Sequence, residues 1–444
     1  MAGSESKTAA DAQQVIADRS GRPRIVFLHF TAPPVVGGVE AVIAEQMRLF
    51  SAAGYPTLMI AGRAAEHNPN EAGPTAIIRE MDSEHPAYLQ IQPALEAGKV
   101  PAEFKELQAS IETSLRRELR PGDIVLAHNI LTTHFNLALT GAVHQMVRAG
   151  HVQHLIIWCH DLSRHVNPER PAPQYHGMPW DLLRTPIESA TYVAVSSARR
   201  RSLANILGLP ADRIRVIPNG VDPTELLGLS AMGKKIIHEF DLFSADLILL
   251  MPVRVTKVKN IEFAMEIVRA LKDAGQTVRL IITGPPDPHV TDISQYYEGL
   301  IDQRDQIGLQ DEIVFLHEGM PGRPAPLSLE ASEIGELYRI ADAVLMPSIR
   351  EGFGMPVLEA AMVDRPVFAT SIPVVQDLPG FQFLIESGES AASVASRMMA
   401  WSESDAAHVL RKRVRSSLTW SKIFSRELLP LINSVIQSHH RSHP

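Results

Sequence analysis

Short apolar runs alternate with stretches of helical period along most of this chain. In the first half the runs fall at 25–30, 57–61, 123–127, 154–159 and 192–195, with helix-patterned stretches such as 39–50 and 103–117 between several of them. A strand that is apolar throughout is buried on both faces. When such strands alternate with helices, the pattern predicts a parallel sheet covered on both sides. The run 214–217 leads into Pro218-Asn219-Gly220-Val221-Asp222, a cluster of turn-forming residues. The alternation then restarts, with strands expected at 247–253, 278–283, 313–316, 343–346 and 366–369 and helices at 261–274, 293–307, 333–340 and 355–362. Two successive doubly wound, Rossmann-like α/β domains with a boundary near 220–225 account for this order. The segment 318–332 is rich in Pro and Gly and longer than most connections, which points to function or mobility. A last helical stretch, 421–437, carries Pro430, which predicts a kink or a break there.

Length agrees with two domains, since 444 residues exceed what one ordinary core organises. Hydrophobic residues at 45% and charged residues at 21% are near the globular average. Cys159 is the single cysteine, so no intramolecular disulfide forms, and a reducing, cytoplasmic setting is expected. Residues 1–21 are polar and Ala-rich without the basic start and apolar run of a secretory signal, and are expected to form a disordered leader. The absence of an apolar run of about 18 residues predicts no membrane span, while peripheral contact with lipid stays open. A formal net charge of -8 argues against a general nucleic-acid partner, which requires a basic face.

The richest segment for chemistry is Pro347-Ser348-Ile349-Arg350-Glu351-Gly352-Phe353-Gly354-Met355-Pro356-Val357-Leu358-Glu359-Ala360. It follows a predicted buried strand and opens a helix. Gly352 and Gly354 are expected to adopt positive φ and to let the backbone approach a ligand. The helix start at Met355-Pro356 offers free amides and the positive end of a dipole to a phosphate or carboxylate. Glu351 and Glu359 could each accept a pair of hydroxyl hydrogen bonds. An isolated Gly-x-Gly occurs in many strand–helix turns; the two glutamates and the apolar helix make this one informative. Upstream, Arg254 and Lys259 follow the first strand of the second half, and two cations five positions apart could address one diphosphate.

These residues resemble glycosyltransferase family 4, whose members have the GT-B fold of two Rossmann-like domains facing each other across a cleft. Glu351-x7-Glu359 within EGFGMPVLEA is similar to the family signature, and Arg254 with Lys259 to its Arg-x4-Lys. The resemblance implies that Glu351 holds the donor sugar and Glu359 the ribose, and that Phe353, Gly354, Met355 and Val357 line the donor through their backbone. Arg254 and Lys259 would take the diphosphate, with no metal and no other cofactor. Gly37-Gly38 resembles the family's N-terminal loop that closes over the donor phosphate, and His160, at the carboxyl end of the run 154–159, its sugar-contacting histidine. The Pro218–Asp222 cluster resembles the interdomain crossing, and Leu418-Thr419-Trp420-Ser421 the start of a helix returning to the first domain. The implied organisation is a leader (1–21), an acceptor-side domain (22–222), a donor domain (223–405) and a returning helix with tail (406–444). The implied activity is retaining transfer of a hexose, from UDP-glucose or GDP-mannose, to an unidentified sugar, small-molecule or lipid-linked acceptor.

Other readings lack their marks. There is no Gly-x-Gly-x-x-Gly for a dinucleotide and no Asp-x-Asp for a metal-dependent sugar transferase. Gly228-x4-Gly233-Lys234 misses the hydroxyl and the preceding strand of a P-loop. The 18 histidines and one cysteine show no zinc spacing. A non-catalytic nucleotide-sugar scaffold and a nucleotide-sugar epimerase of the same fold remain as alternatives.

Overall fold

Each apolar run becomes a strand in the computed structural model, which describes residues 21–33, 37–64, 73–167, 172–322, 326–378 and 383–442. The expected leader therefore lies, but for Gly21, outside the described residues. The first sheet contains β1 (Ile25–Thr31), β2 (Thr57–Arg63), β3 (Thr75–Ile77), β4 (Ile124–His128), β5 (His154–Cys159), β6 (Thr191–Ala194) and β7 (Ile214–Val216). The second contains β8 (Leu247–Met251), β9 (Val278–Ile282), β10 (Ile313–Phe315), β11 (Ala343–Met346), β12 (Val367–Thr370) and β13 (Phe383–Ile385). The orders are β3-β2-β1-β4-β5-β6-β7 and β10-β9-β8-β11-β12-β13, with every pairing parallel. In each sheet the order reverses beside the first strand, between β1 and β4 and between β8 and β11. Chains leave those two strands toward opposite faces, which opens a crevice at their carboxyl ends.

Successive strand residues feed opposite cores, as a sheet buried on both faces requires. In β1, Val26 and Leu28 join one cluster and Ile25 and Phe27 the other. In β8, Leu247, Leu249 and Met251 face one way and Ile248 and Leu250 the other. The chain forms two compact units, one of residues up to Gly220 together with Trp420 onward, the other Val221–Thr419. At the crossing a side chain on Gly220 would lie 2.8 Å from the Trp420 ring and 2.9 Å from its amide nitrogen, so glycine is what lets the two passes run side by side.

The return to the first unit begins at Trp420, later than the 406 expected from the sequence. The helix Ala406–Ser417 stays with the second unit because Arg415 forks onto Asp342 at 2.8 Å through each nitrogen. Asp342 also accepts from the Ile248 amide at 2.9 Å and faces His408 at 3.5 Å. Burial pushes the Asp342 carboxyl up, but the facing His408 and the Arg415 guanidinium bring it down to about 2. Farther on, Pro430 does not break its helix: the turn Phe424–Leu428 widens to π geometry ahead of it, and the helix Leu429–Ser442 continues. The P-loop-like glycine has a packing reason as well, since a side chain on Gly233 would meet the Glu336 carboxylate at 2.1 Å. That carboxylate holds the Ser230 amide and hydroxyl, both at 3.0 Å.

Asp342→Asn leaves Arg415 buried without its anion and should lower unfolding free energy by about 3 to 5 kcal/mol in urea titration. The native carboxyl is depressed, so its contribution is present above the unfolded value of 3.8 and is lost as pH falls toward about 2. The gap between wild type and variant should close over that interval.

Candidate active site

The switch point of the second sheet gathers the strongest sequence signals. After β8 the chain runs beside the loop that leaves β9: Gly284 donates to the Val253 carbonyl and Val255 to that of Pro285, both at 3.0 Å. A side chain on Gly284 would lie 2.3 Å from the Val253 oxygen and 2.7 Å from the Arg254 Cα. This glycine, not singled out from the sequence, is what lets Arg254 be held at the strand end; the signal was Thr283-Gly284-Pro285-Pro286 closing a predicted strand. The Arg254 side chain is 60% exposed, with its guanidinium 3.8 Å from Asp287.

Lys259 and Glu351, expected to serve different parts of one ligand, meet in the structure. The Lys259 ammonium lies 2.7 and 2.8 Å from the two carboxylate oxygens, with the side chains 19% and 8% exposed. Two further bonds stitch the loops together, from the Ile349 amide to the Val258 carbonyl at 2.9 Å and from Asn260 Nδ2 to the Pro347 carbonyl at 3.2 Å. Asn260 has φ +54°, a left-handed conformation that asparagine tolerates better than most residues.

Gly354 takes φ +83° at the start of the helix Met355–Met362, as expected, whereas Gly352 does not adopt positive φ and has open space around it. Phe353 and Met355 are 56% and 53% exposed. Val357 turns into the core, and its amide is bonded to the Gly354 carbonyl at 2.9 Å. Glu359 is exposed on the first turns of the helix and accepts the hydroxyl hydrogen of Tyr338. Burial and the facing carboxylate both push the Tyr338 phenol up, so it stays a donor. Tyr338 was not foreseen; its position in the preceding helix gives no local signal. Ser348 Oγ and Thr256 Oγ1 are buried here without a hydrogen-bond partner among the described residues.

In the first unit, His160 follows β5 and is 7% exposed. Its amide and that of Asp161 both donate to Asn129 Oδ1 at 2.9 Å, and Arg199 Nε donates to its carbonyl at 2.9 Å. Its Nε2 lies 3.0 Å from Nδ1 of His128, at the end of β4. His29, near the end of β1, sets its Nδ1 2.9 Å from the His128 carbonyl and its Nε2 3.8 Å from Glu40. Burial, reinforced by His29, lowers His160 to about 3, and burial likewise lowers His29 and His128. Gly37 caps the helix Gly38–Ala52 in extended conformation, where a side chain would meet the Glu40 carboxylate at 2.1 Å; Gly38 has open space around it, and residues 34–36 lie outside the described residues. Cys159 is buried and its thiol is pushed up to about 12 by burial, consistent with no chemical role. Among the described residues no group of three or more His, Cys, Asp or Glu is arranged to hold a metal, and no helix is long and apolar enough to cross a membrane.

Residues 36–225 match the family model for glycosyltransferase family 4, and residues 234–416 that for glycosyl transferases group 1. An uncharacterized glycosyltransferase of Methanocaldococcus jannaschii is 27% identical over 187 residues, covering 42% of this chain and 43% of that protein. A D-inositol 3-phosphate glycosyltransferase of Nocardia farcinica is 28% identical over 190 residues, covering 42% of this chain and 38% of that protein. The match thus spans less than half the length of either relative. A sucrose-phosphate synthase structure from Thermosynechococcus elongatus covers 94% of this chain and 100% of its own at 16% identity, with a TM-score of 0.38. The two family models fall one on each unit, each on a doubly wound parallel sheet, and the chain belongs to the family 4-like glycosyltransferases of GT-B fold.

Proposed function

We propose that this glycosyltransferase moves a hexose from a nucleoside-diphosphate sugar to an acceptor hydroxyl, with retention of configuration and without a metal. The observation that carries the proposal is the Lys259–Glu351 pair at the second switch point. An ammonium has three donors, and two are turned to the carboxylate. The third is free for a phosphate oxygen, while the carboxylate keeps lone pairs for sugar hydroxyls. One ion pair thereby serves two adjacent parts of a sugar diphosphate without having to break. Arg254, held by the Gly284 contact, supplies a second cation with forked geometry. The start of the helix Met355–Met362 adds its dipole, and Glu359, oriented by Tyr338, is the group for the ribose hydroxyls.

In this reading the acceptor oxygen bonds to the anomeric carbon as the bond from that carbon to the phosphate oxygen breaks. The departing diphosphate takes the acceptor's proton, so no protein nucleophile is required. Arg254 and Lys259 stabilise the charge that grows on the leaving group, which is where preorganised electrostatics contributes most. His160, neutral because it is buried, is the hydrogen-bonding group for the sugar. UDP-glucose and GDP-mannose are the donors to test first, and a polar hydroxylated acceptor is supported by the inositol phosphate named for the Nocardia farcinica relative.

With EDTA present, nucleotide release from a panel of UDP-, GDP- and ADP-sugars should single out one donor. Arg254→Ala and Lys259→Ala should each cost about 3 kcal/mol in turnover of that donor. Near-normal turnover in both variants would sink the diphosphate assignment, and an altered sugar without released nucleotide would favour an epimerase. Tyr338→Phe should raise the donor KM roughly fivefold with kcat unchanged, because a ribose contact is made equally in ground and transition states. A parallel fall in kcat would contradict a role confined to binding.

A further inference from the structure

Three histidines converge at the first switch point from strands that are neighbours only through the sheet order β1-β4-β5. His128 is the middle one. It is fully buried, with its ring stacked against Trp158 at 5.4 Å and against His160 at 5.3 Å. Its Nδ1 is 3.0 Å from His160 Nε2, and its Nε2 has no hydrogen-bond partner among the described residues. His160 Nδ1 has none among the described residues either, but that ring is not fully enclosed. The backbone around both rings is pinned, at His128 by His29 and at His160 by Asn129 and Arg199.

With both rings neutral, the bond between them carries one hydrogen, which belongs to one nitrogen or the other. If His160 Nε2 donates, His128 keeps its hydrogen on Nε2 and buries a donor with no acceptor. If His128 Nδ1 donates, His128 Nε2 is left as a bare lone pair. Among backbone groups an orphaned buried N–H is rarer than an under-used acceptor, and the same preference applied to the imidazole leaves the bare lone pair on His128 Nε2. We propose that His128 is a positioning residue that donates from Nδ1 to Nε2 of His160, fixing His160 as the tautomer whose remaining nitrogen, Nδ1, carries a hydrogen. The sugar-facing atom of His160 is then a donor, suited to a hydroxyl or ring oxygen and not to a hydroxyl hydrogen. The role given to His160 rests on the proposed function; the tautomer does not.

Nitrogen-15 NMR of the full chain labelled at histidine reads the tautomer directly, with the His160 signals assigned by their loss in His160→Gln. The expected result is a protonated Nδ1 and an unprotonated Nε2 in the wild type; the reverse overturns the proposal whether or not a donor has been found. In transferase assays His128→Leu should lower kcat at least about tenfold with donor KM little changed. His128→Asn, which keeps an N–H donor near the Nδ1 position, should recover most of that loss. Equal losses in the two variants would show that His128 only fills space and would also overturn the proposal. Absence of turnover with every donor in the wild type would count against the proposed function, while the tautomer measurement would still decide this one.

Discussion

The ion pair between Lys259 and Glu351 ties together the two loops that a doubly wound sheet holds apart. Chains leaving β8 and β11 diverge toward opposite faces, and across the crevice between them the two loops are joined by this pair, by the Ile349–Val258 backbone bond and by Asn260. The pair is largely removed from water, at 19% and 8% exposure, which makes its mutual attraction stronger and its desolvation costlier than at the surface. The flanking bonds from Ile349 and Asn260 fix the loops in register, so the charged atoms are positioned before any ligand arrives. Arg254, Gly354 and Glu359 are arranged around this bridge by the same sheet and the helix that follows it.

Neutral groups dominate the corresponding place in the first unit. Burial makes the charged form of His29, His128 and His160 unfavourable; His29 further discourages charge on His128 and His160, and His160 on His128. Arg199 and Asp161, 3.3 Å apart, lie at the rim of this cluster. The two switch points thus have opposite characters, one charged and the other built of neutral rings; in the proposed reaction the first would answer phosphate charge and the second would form directional, uncharged hydrogen bonds. A transferase that moves a neutral sugar away from an anionic leaving group has use for both.

Much of this architecture was legible because its causes are local. Strands buried on both faces leave unbroken apolar runs, so β5 and β11 were placed to the residue, and the Gly354 turn with its glutamates lies within one segment. Interactions across the sheet left no such trace. His29, His128 and His160 are distant in sequence and look scattered until the strand order makes them neighbours. The helix Ala406–Ser417 was assigned to the returning segment because the Asp342–Arg415 bond that holds it to the second unit has no sequence signature. Gly284, Gly233 and Gly220 were required by close approach of another segment, and only coordinates show what approaches.

The most direct test of the central claim, that the second switch point is built for a sugar diphosphate, is calorimetric binding of a nucleoside and its mono- and diphosphate in EDTA. The wild type should prefer the diphosphate strongly, and an Arg254→Ala, Lys259→Ala double variant should lose that preference while retaining what affinity the nucleoside has. Equal affinity for the three ligands in the wild type, or an undiminished preference in the double variant, would contradict the account.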